Sequence, residues 1–190
     1  MNKIFNPANM LKLDSEDRKK SIQPEKIIEL IDIKEGDTIL DIGAGIGLFT
    51  LPALSKVGTN GRVIATDISK EMLEELKRRL PEESNNAELI HCDAIKIPLP
   101  DKSVDKIILS FVFHEFDDRA EYLTEISRLI KDKGTMIILE WDMVESPSGP
   151  PLEERIKQEE LLEITKPYGF YSDLLKKIND YQYLAVLKKK

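Results

Sequence analysis

The chain has 190 residues, of which 41% are hydrophobic and 33% charged, as in a globular chain of one domain. Its formal net charge of −7 argues against nucleic acid as the main partner, because such binding depends on clustered Lys and Arg. No apolar run approaches the roughly 18 residues that span a bilayer, and the N-terminus lacks a secretory signal. The single cysteine, Cys92, cannot form an internal disulfide. We therefore expect a cytoplasmic protein with no membrane or nucleic-acid partner.

The first 35 residues predict a helical cap. Pro24 suits the first turn of a helix, and Ile27, Ile28 and Ile31 then form one apolar face. The preceding residues, 14–20, form a polar lead-in. We expect this segment to pack across a sheet or to cover a ligand site.

Short apolar runs alternate with amphipathic stretches from residue 38 onward. This alternation is typical of βαβ units, in which helices cover both faces of a parallel sheet. Ser69 and Asp118 suit helix N-caps, the second with Glu121 in capping-box spacing, and Gly134 suits a helix stop. The predicted strands are 38–41, 62–67, 87–92, 104–110 and 135–141, and the predicted helices are 48–57, 70–80 and 119–130.

A loop, a helix and two strands are predicted after residue 142. Residues 146–151, Ser-Pro-Ser-Gly-Pro-Pro, cannot continue a strand or helix. Residues 152–165 predict a helix, and 168–175 and 181–187 predict two strands joined by a turn at 179–180. The expected organisation is one domain, 1–190, with a helical cap (1–35), a ligand-binding core (36–142) and a closing segment (143–190).

The turn after the first strand is rich in glycine: Asp41-Ile42-Gly43-Ala44-Gly45-Ile46-Gly47. Ligands of parallel α/β sheets bind at the carboxyl ends of the strands, where glycine lets the backbone approach them closely. The dinucleotide fingerprint needs glycine or alanine at position 48, where this chain has Leu48. Asp41 would repel a pyrophosphate but could hold a ligand's cationic amino group. A tight turn without a ligand is the alternative.

Two further strands end in acidic residues. Asp67 follows Gly47 by 20 residues, the place of the acid that accepts ribose hydroxyls in the dinucleotide fold, and Ile68 could pack on adenine. After the third strand, Asp93 could accept from an adenine amine while Ala94 offers a backbone N–H. Each acid could instead be a local cap or turn residue.

In order and spacing, these motifs resemble the class I S-adenosylmethionine (SAM)-dependent methyltransferases, in particular the small group that includes the ubiquinone/menaquinone-biosynthesis type. Segment 41–47 resembles the family's glycine-rich motif, Asp67 its ribose-binding acid and residues 93–94 its adenine-binding pair. Residues 98–105, Pro-Leu-Pro-Asp-Lys-Ser-Val-Asp, resemble the segment before strand four. The resemblance implies a Rossmann-like, doubly wound α/β fold with seven strands, the last antiparallel, and helices on both faces. It also implies SAM as cofactor and S-adenosylhomocysteine (SAH) as product.

The end of strand four forms the floor between donor and acceptor in this family. The resemblance therefore implies that His114 and Glu115 face the acceptor, where His114 could remove a proton with Glu115 as its partner. A structural His114 is the alternative, and His91, in a strand predicted to be buried, favours a structural role. The expected cofactor-binding residues are Asp41, Gly43, Ala44, Gly45, Gly47, Asp67, Ile68, Asp93, Ala94, Ser110 and Phe111.

The acceptor side is predicted from the end of strand five and the loop after it. Residues 140–142, Glu-Trp-Asp, end that strand at the same edge of the sheet, and residues 149–151, Gly-Pro-Pro, could form a semi-rigid wall. Metal-ligand spacing such as H-E-x-x-H is absent from the sequence, so we expect no metal. An aromatic set favours a small, partly apolar acceptor, although these rings could equally be core: Phe111, Phe113, Phe116 and Trp141.

The sequence therefore favours a SAM-dependent methyltransferase that aligns a small acceptor for in-line displacement. A regulatory module that binds SAM or a nucleotide without turnover is the alternative from another class. A nucleotide-dependent oxidoreductase is the second enzymatic alternative, and Leu48 speaks against it.

Overall fold

The computed structural model describes residues 10–82 and 84–190. Apolar and β-branched runs form one seven-stranded sheet in the order β3-β2-β1-β4-β5-β7-β6. The strands are β1 Thr38–Ile42, β2 Arg62–Asp67, β3 Ala87–His91, β4 Val104–Ser110, β5 Ile130–Trp141, β6 Phe170–Asn179 and β7 Gln182–Lys189.

The first five strands pair in parallel, whereas β7 is antiparallel to both β5 and β6. The predicted Rossmann-like architecture, with its antiparallel last strand, is confirmed. Strand order reverses at β1, which lies between β2 and β4. A crevice forms at such a switch point, outside the carboxyl ends of the strands.

The helices pack on both faces of the sheet. Two predicted N-caps are confirmed: the Ser69 hydroxyl accepts from the Met72 N–H, and the Asp118 carboxylate accepts from the Ala120 and Glu121 N–H groups. The helices are α1 Met10–Leu13, α2 Glu16–Ile22, α3 Pro24–Leu30, α4 Thr50–Val57, α5 Lys70–Arg79, α6 Arg119–Leu129 and α7 Gln158–Thr165. No helix in this described part of the chain is long and apolar enough to cross a membrane.

Alternate residues of the central strands feed two apolar layers. On β4, Ile107 and Leu109 pack with residues of α6 and α7, whereas Ile108 packs on the opposite face with residues of α3 and α4. The predicted helix with Ile27 and Ile28 on its apolar face lies in this second layer. Burial on both faces explains why the central strands have continuous apolar runs.

The start of β5 differs from the prediction. Ile130 leaves α6 and pairs at once with Val104, after which the register shifts. Gly134 therefore lies inside the strand and does not act as a helix stop. A Cβ on Gly134 would lie 2.8 Å from the Lys131 carbonyl oxygen and 3.0 Å from that of Asp105, so the irregular ladder leaves room for glycine alone.

Three other predictions need correction. The helix predicted over residues 152–165 divides into a 3₁₀ turn, Leu152–Glu154, and α7, because residues 155 and 157 are extended. Strand β3 lies at the edge of the sheet, so His91 is exposed rather than buried, with Nε2 2.9 Å from the Ile68 carbonyl oxygen. In addition, β6 continues to Asn179, four residues beyond its predicted end at 175.

Candidate active site

A cavity of about 790 Å³ opens at the carboxyl ends of the parallel strands. This volume suits a small-molecule site. The turns after β1 to β5 line it, together with α2 and part of the loop at 148–150. Every predicted cofactor-binding and catalytic residue lines this cavity except Gly47.

The glycine turn after β1 has three residues with positive φ, and they serve different purposes. A Cβ on Gly43, at φ +67°, would lie 2.8 Å from Cγ2 of Val112, so the backbone packs closely there. Beside Gly45, at φ +55°, the first atom that a Cβ would meet is Leu13 Cδ1 at 3.9 Å, so this glycine faces open space. Gly47 packs against Leu76 of α5, which explains why it lies outside the cavity.

Asp41 lies at the base of this turn and is 1% exposed. The Thr50 hydroxyl donates a 2.6 Å hydrogen bond to its Oδ2. Burial raises the pKa of Asp41 to about 7, while the Thr50 bond acts in the opposite direction and the charge of Asp67 adds to the rise. A cation in the cavity would therefore find a carboxyl group that ionises readily near neutral pH.

Asp67 connects the glycine turn to the start of α5. Its Oδ2 accepts from the Gly45 N–H and its Oδ1 from the Ser69 N–H, both at 2.8 Å. Burial raises the pKa of Asp67, although these backbone donors oppose the rise. Ile68 follows with an exposed side chain that also lines the cavity.

Asp93 has a partner that the sequence did not indicate. Its Oδ1 accepts from the Ile95 N–H and from the Tyr122 hydroxyl, each at 3.2 Å. The Tyr122 ring stacks on Phe116 with centroids 3.7 Å apart. Burial and the charge of Asp93 raise the pKa of Tyr122 to about 12, so the phenol stays protonated as a donor. The sequence around Tyr122 contains no motif that predicts this contact, because α6 comes close to Asp93 only when the sheet has folded.

The acidic partner of His114 is Glu140, not Glu115 as predicted. Both carboxylate oxygens of Glu140 lie close to His114 Nδ1, at 2.9 and 3.0 Å. Glu140 is 0% exposed and also accepts from the backbone N–H groups of His114 and Trp141, each at 3.1 Å. The ring is thereby fixed with Nδ1 toward Glu140, which leaves Nε2 as the nitrogen available to a ligand.

Charges around His114 favour its protonated form. Burial lowers its pKa, but the hydrogen bond and charge of Glu140, with the charges of Glu115 and Glu154, outweigh burial and leave the pKa raised. Burial raises the pKa of Glu115 to about 7. The charge of His114 opposes this rise, and the charge of Glu140 adds to it. The register of β4 on β5, which pairs Ser110 with Leu139, brings His114 and Glu140 together.

Aromatic side chains form one wall of the cavity. Phe111 has φ +58°, an unusual value for a residue with a side chain, and its ring lies 5.7 Å from that of Trp141. Gly149, at φ +99°, packs so closely on Trp141 that a Cβ would lie 2.8 Å from the indole. Of the predicted aromatic set, Phe116 also lines the cavity, whereas Phe113 is 0% exposed and belongs to the core.

The second helix, α2, lines the cavity and adds a cation to its wall. The Arg18 guanidinium lies 5.5 Å from the centroid of the Phe111 ring. Arg18, Ser21 and Ile22 all line the cavity, so the N-terminal segment covers the site. The sequence predicted this position for the segment in general terms but did not single out Arg18. Within residues 10–82 and 84–190, no group of three or more His, Cys, Asp and Glu side chains could hold a metal ion.

Comparisons with known proteins agree on one family. A family model described as a methyltransferase domain matches residues 40–138. A ubiquinone/menaquinone biosynthesis C-methyltransferase of Hydrogenovibrio crunogenus is 30% identical over 169 residues, which cover 83% of this chain and 61% of that protein. A demethylmenaquinone methyltransferase of Staphylococcus saprophyticus is 29% identical over 65% of this chain and 52% of its own. The chain thus spans about half to three fifths of the length of these curated relatives.

Solved structures extend the similarity to nearly the whole chain. A SAM-dependent methyltransferase from Aquifex aeolicus superposes with a TM-score of 0.91 at 30% identity, covering 98% of this chain and 100% of that one. A putative type 11 methyltransferase from Sulfolobus solfataricus gives a TM-score of 0.69 at 27% identity, covering 87% and 88%. The similarity includes the segments before and after residues 40–138.

Proposed function

This chain belongs to the methyltransferase-domain family that matches residues 40–138, and on that premise we propose that it transfers the methyl group of SAM to a small-molecule acceptor. The observation that carries the proposal is the cavity at the strand ends, where the family's motif residues meet the buried His114–Glu140 pair and an aromatic wall. A cavity of about 790 Å³ supports a small acceptor beside the cofactor.

The residues at the glycine turn fit the chemistry of SAM. Gly45 faces open space, and Asp41 offers a carboxyl group for a ligand's ammonium. Each Asp67 oxygen accepts one backbone N–H and has a second lone pair for ribose hydroxyls. Asp93 and Ala94 line the end where adenine would lie, with Ile68 packed on the base. Ser110 and Phe111 also line the cavity and would lie beside the donor.

The residues that face the acceptor would mainly align it and exclude water. SAM supplies an electrophilic methyl group, whose carbon bonds to the acceptor atom while the C–S bonding pair stays on sulfur to give SAH. For an O–H or N–H acceptor, neutral His114 takes the proton at Nε2 and Glu140 stabilises the resulting imidazolium. Glu115 lies beside the pair and would hydrogen-bond the acceptor.

Calorimetric titration tests the cofactor site. We expect wild-type protein to bind SAM and SAH but not NAD, and Asp67→Ala and Gly45→Arg to lose that binding, because they remove the ribose acceptor and fill the open side of the turn. Asp173→Ala, an exposed carboxylate on β6, is the matched control. A folded wild-type protein that binds no SAM would contradict the proposal. SAM binding without methylated product across phenols, quinols and amines would favour the regulatory alternative.

The pH dependence of turnover tests the role of His114. Only a neutral imidazole accepts a proton, so kcat/KM should rise with pH through the raised pKa of His114. His114→Ala should lower kcat by about 10²-fold or more and should remove this rise of kcat/KM with pH. Glu140→Gln should move the rise of kcat/KM to lower pH, because the variant loses the carboxylate that raises the pKa of His114. An unchanged profile in Glu140→Gln would assign the pair a structural role.

A further inference from the structure

Gln182, the first residue of β7, brings a polar side chain to the cavity from the closing strands of the sheet. Because β7 is antiparallel to β5, it begins at the edge where the parallel strands end. Gln182 pairs with Trp141 in this ladder, and both residues line the cavity. Residues directly opposite each other on neighbouring strands project from the same face of the sheet. The Gln182 amide is therefore on the same side as the aromatic wall.

Hydrogen bonds determine which end of this amide is engaged. The Tyr181 backbone N–H, which can only donate, donates to Asn179 Oδ1 at 2.9 Å. The other end of the Asn179 amide is therefore Nδ2, which donates to Gln182 Oε1, also at 2.9 Å. Since that donor needs an oxygen opposite it, Nε2 is the Gln182 atom left for another partner.

The Gln182 Nε2 group has no hydrogen-bond partner within residues 10–82 and 84–190. Gln182 is only 6% exposed. In the same two ranges, Arg119 Nε is the only side-chain nitrogen or oxygen that is both fully buried and without a partner, so Gln182 Nε2 keeps access to open space. The cavity is the open space that Gln182 lines. Because buried amides are normally hydrogen-bonded, this unused donor indicates an oxygen of a ligand.

The position of Gln182 in the sheet assigns this oxygen to the acceptor. Three steps in the strand order separate β7 from β1, which carries the glycine turn. Neighbouring strands lie about 4.8 Å apart, so the separation along the sheet is on the order of 14 Å. The proposed cofactor residues belong to β1 to β4 and the turns after them, whereas β5 and β7 contribute Trp141 and Gln182 to the cavity.

We propose that Gln182 is a specificity-determining residue, whose Nε2 donates a hydrogen bond to an oxygen of the methyl acceptor. The acceptor class is then a molecule with a carbonyl or carboxylate oxygen on an apolar body, which fits the aromatic wall of Phe111 and Trp141. An ammonium or a hydrocarbon group could not use this donor. The inference rests on the proposed function and deepens it, since it names a group that the acceptor carries.

Binding of acetophenone and ethylbenzene to the SAH complex tests this residue, because the two molecules differ in one carbonyl oxygen. In ligand-observed NMR titrations, wild-type protein should prefer acetophenone by about three- to tenfold, as for one neutral hydrogen bond. Gln182→Glu keeps an oxygen toward Asn179 but removes the donor, so it should abolish the preference and leave SAH affinity within about twofold. Asn85→Asp, the same amide-to-acid change at an exposed site, is the matched control.

Two further variants separate recognition from packing. Gln182→Met keeps most of the side-chain volume without an amide and should also abolish the preference. Asn179→Asp places an oxygen opposite Gln182, so the Gln182 amide should turn over and present Oε1 to the cavity. The preference for acetophenone should then be lost although Gln182 itself is unchanged. Thermal unfolding checks that each variant is folded.

The outcomes that overturn the proposal are distinct. No preference in wild-type protein, or a preference that persists in both Gln182 variants, would refute it. A loss of SAH affinity of about tenfold in these folded variants, with the preference unchanged, would assign the amide to the cofactor instead. If wild-type protein binds neither SAM nor SAH, the proposed function fails, and the two probes titrated into the protein alone then decide about Gln182.

Discussion

At the scale of single residues, several of the carboxyl groups that line the cavity have a pKa that burial raises. Asp41 is the clearest case, because its pKa rises to about 7 through burial. A carboxyl group whose pKa is higher in the folded than in the unfolded chain binds protons more tightly when folded. It therefore adds stability below its unfolded pKa, and this stability is lost as pH rises through the folded value.

Replacing Asp41 with asparagine tests this dependence of stability on pH. In wild-type protein without ligand, the contribution of Asp41 to the free energy of unfolding should decrease from about pH 4 to about pH 7. Asp41→Asn should remove that slope, because the amide does not ionise. Urea unfolding across this pH range measures it, with Asp173→Asn as the exposed control. An identical pH slope in Asp41→Asn and wild type would show that burial does not perturb this carboxyl.

Sequence position predicted some site residues but not the contacts between them. Asp41 and Asp67 end predicted strands and Asp93 directly follows one, so a parallel sheet must bring them to one edge. The pairing of His114 with Glu140 depends on the register of β4 against β5, which no local pattern reveals. Arg18 could not be predicted either, because α2 is far from strand β4 in sequence and Arg18 meets Phe111 only in the folded chain.

At the scale of elements, one arginine organises the loop between β5 and α7. The Arg155 guanidinium donates to the carbonyl oxygens of Asp142 at 3.1 Å, Val144 at 2.6 Å and Pro150 at 2.9 Å. It also lies 5.3 Å from the centroid of a Trp141 ring. These contacts join both ends of the loop to the aromatic wall.

Arg155→Met should release this loop while leaving the glycine turn intact. We expect acceptor KM to rise, SAH affinity to stay within about twofold, and cleavage by added protease near residues 146–151 to increase. Unfolding free energy should fall by roughly 1.5–3 kcal/mol, the range for hydrogen bonds from a charged group. Arg62→Met, an exposed arginine on β2, is the control. Equal protease resistance in Arg155→Met and wild type would contradict this role.

The same arginine explains why the helix prediction over 152–165 was only partly correct. Local propensity favours a continuous helix, but Arg155 turns toward the loop carbonyls and its backbone extends at ψ 162°. Proline and glycine positions predicted a loop at 146–151. These positions gave no information about which side chain would donate hydrogen bonds to the carbonyl oxygens of the loop.

At the scale of the whole molecule, β4 anchors both apolar layers. Its Ile108 is 0% exposed and packs with residues of β1, β5 and β7 in the layer that faces α3 and α4. The alternation of strands and helices was enough to predict five parallel strands. Connections between parallel strands are almost always right-handed, so few strand orders are possible for such a sequence. The bulged start of β5 was not predictable, since it arises from pairing between distant residues.

Ile108→Ala should therefore destabilise the entire fold. Removing a fully buried isoleucine side chain costs about 2–5 kcal/mol, so the midpoint of urea unfolding should fall clearly. Leu30→Ala, at a side chain 42% exposed, should change stability by less than about 0.5 kcal/mol. Equal losses for the two variants would contradict a stabilising role for the packing of Ile108 in the layer that faces α3 and α4.

The acidic lining of the cavity also bears on product release. Asp67, Asp93 and Glu115 line the cavity in which the donor is proposed to bind, and Lys12 and Arg18 line it as well. In the proposed reaction the donor's sulfonium becomes a neutral thioether, so an acidic cavity would attract the product less than the donor. Methyl transfer would thereby remove one electrostatic attraction between the cavity and the spent cofactor.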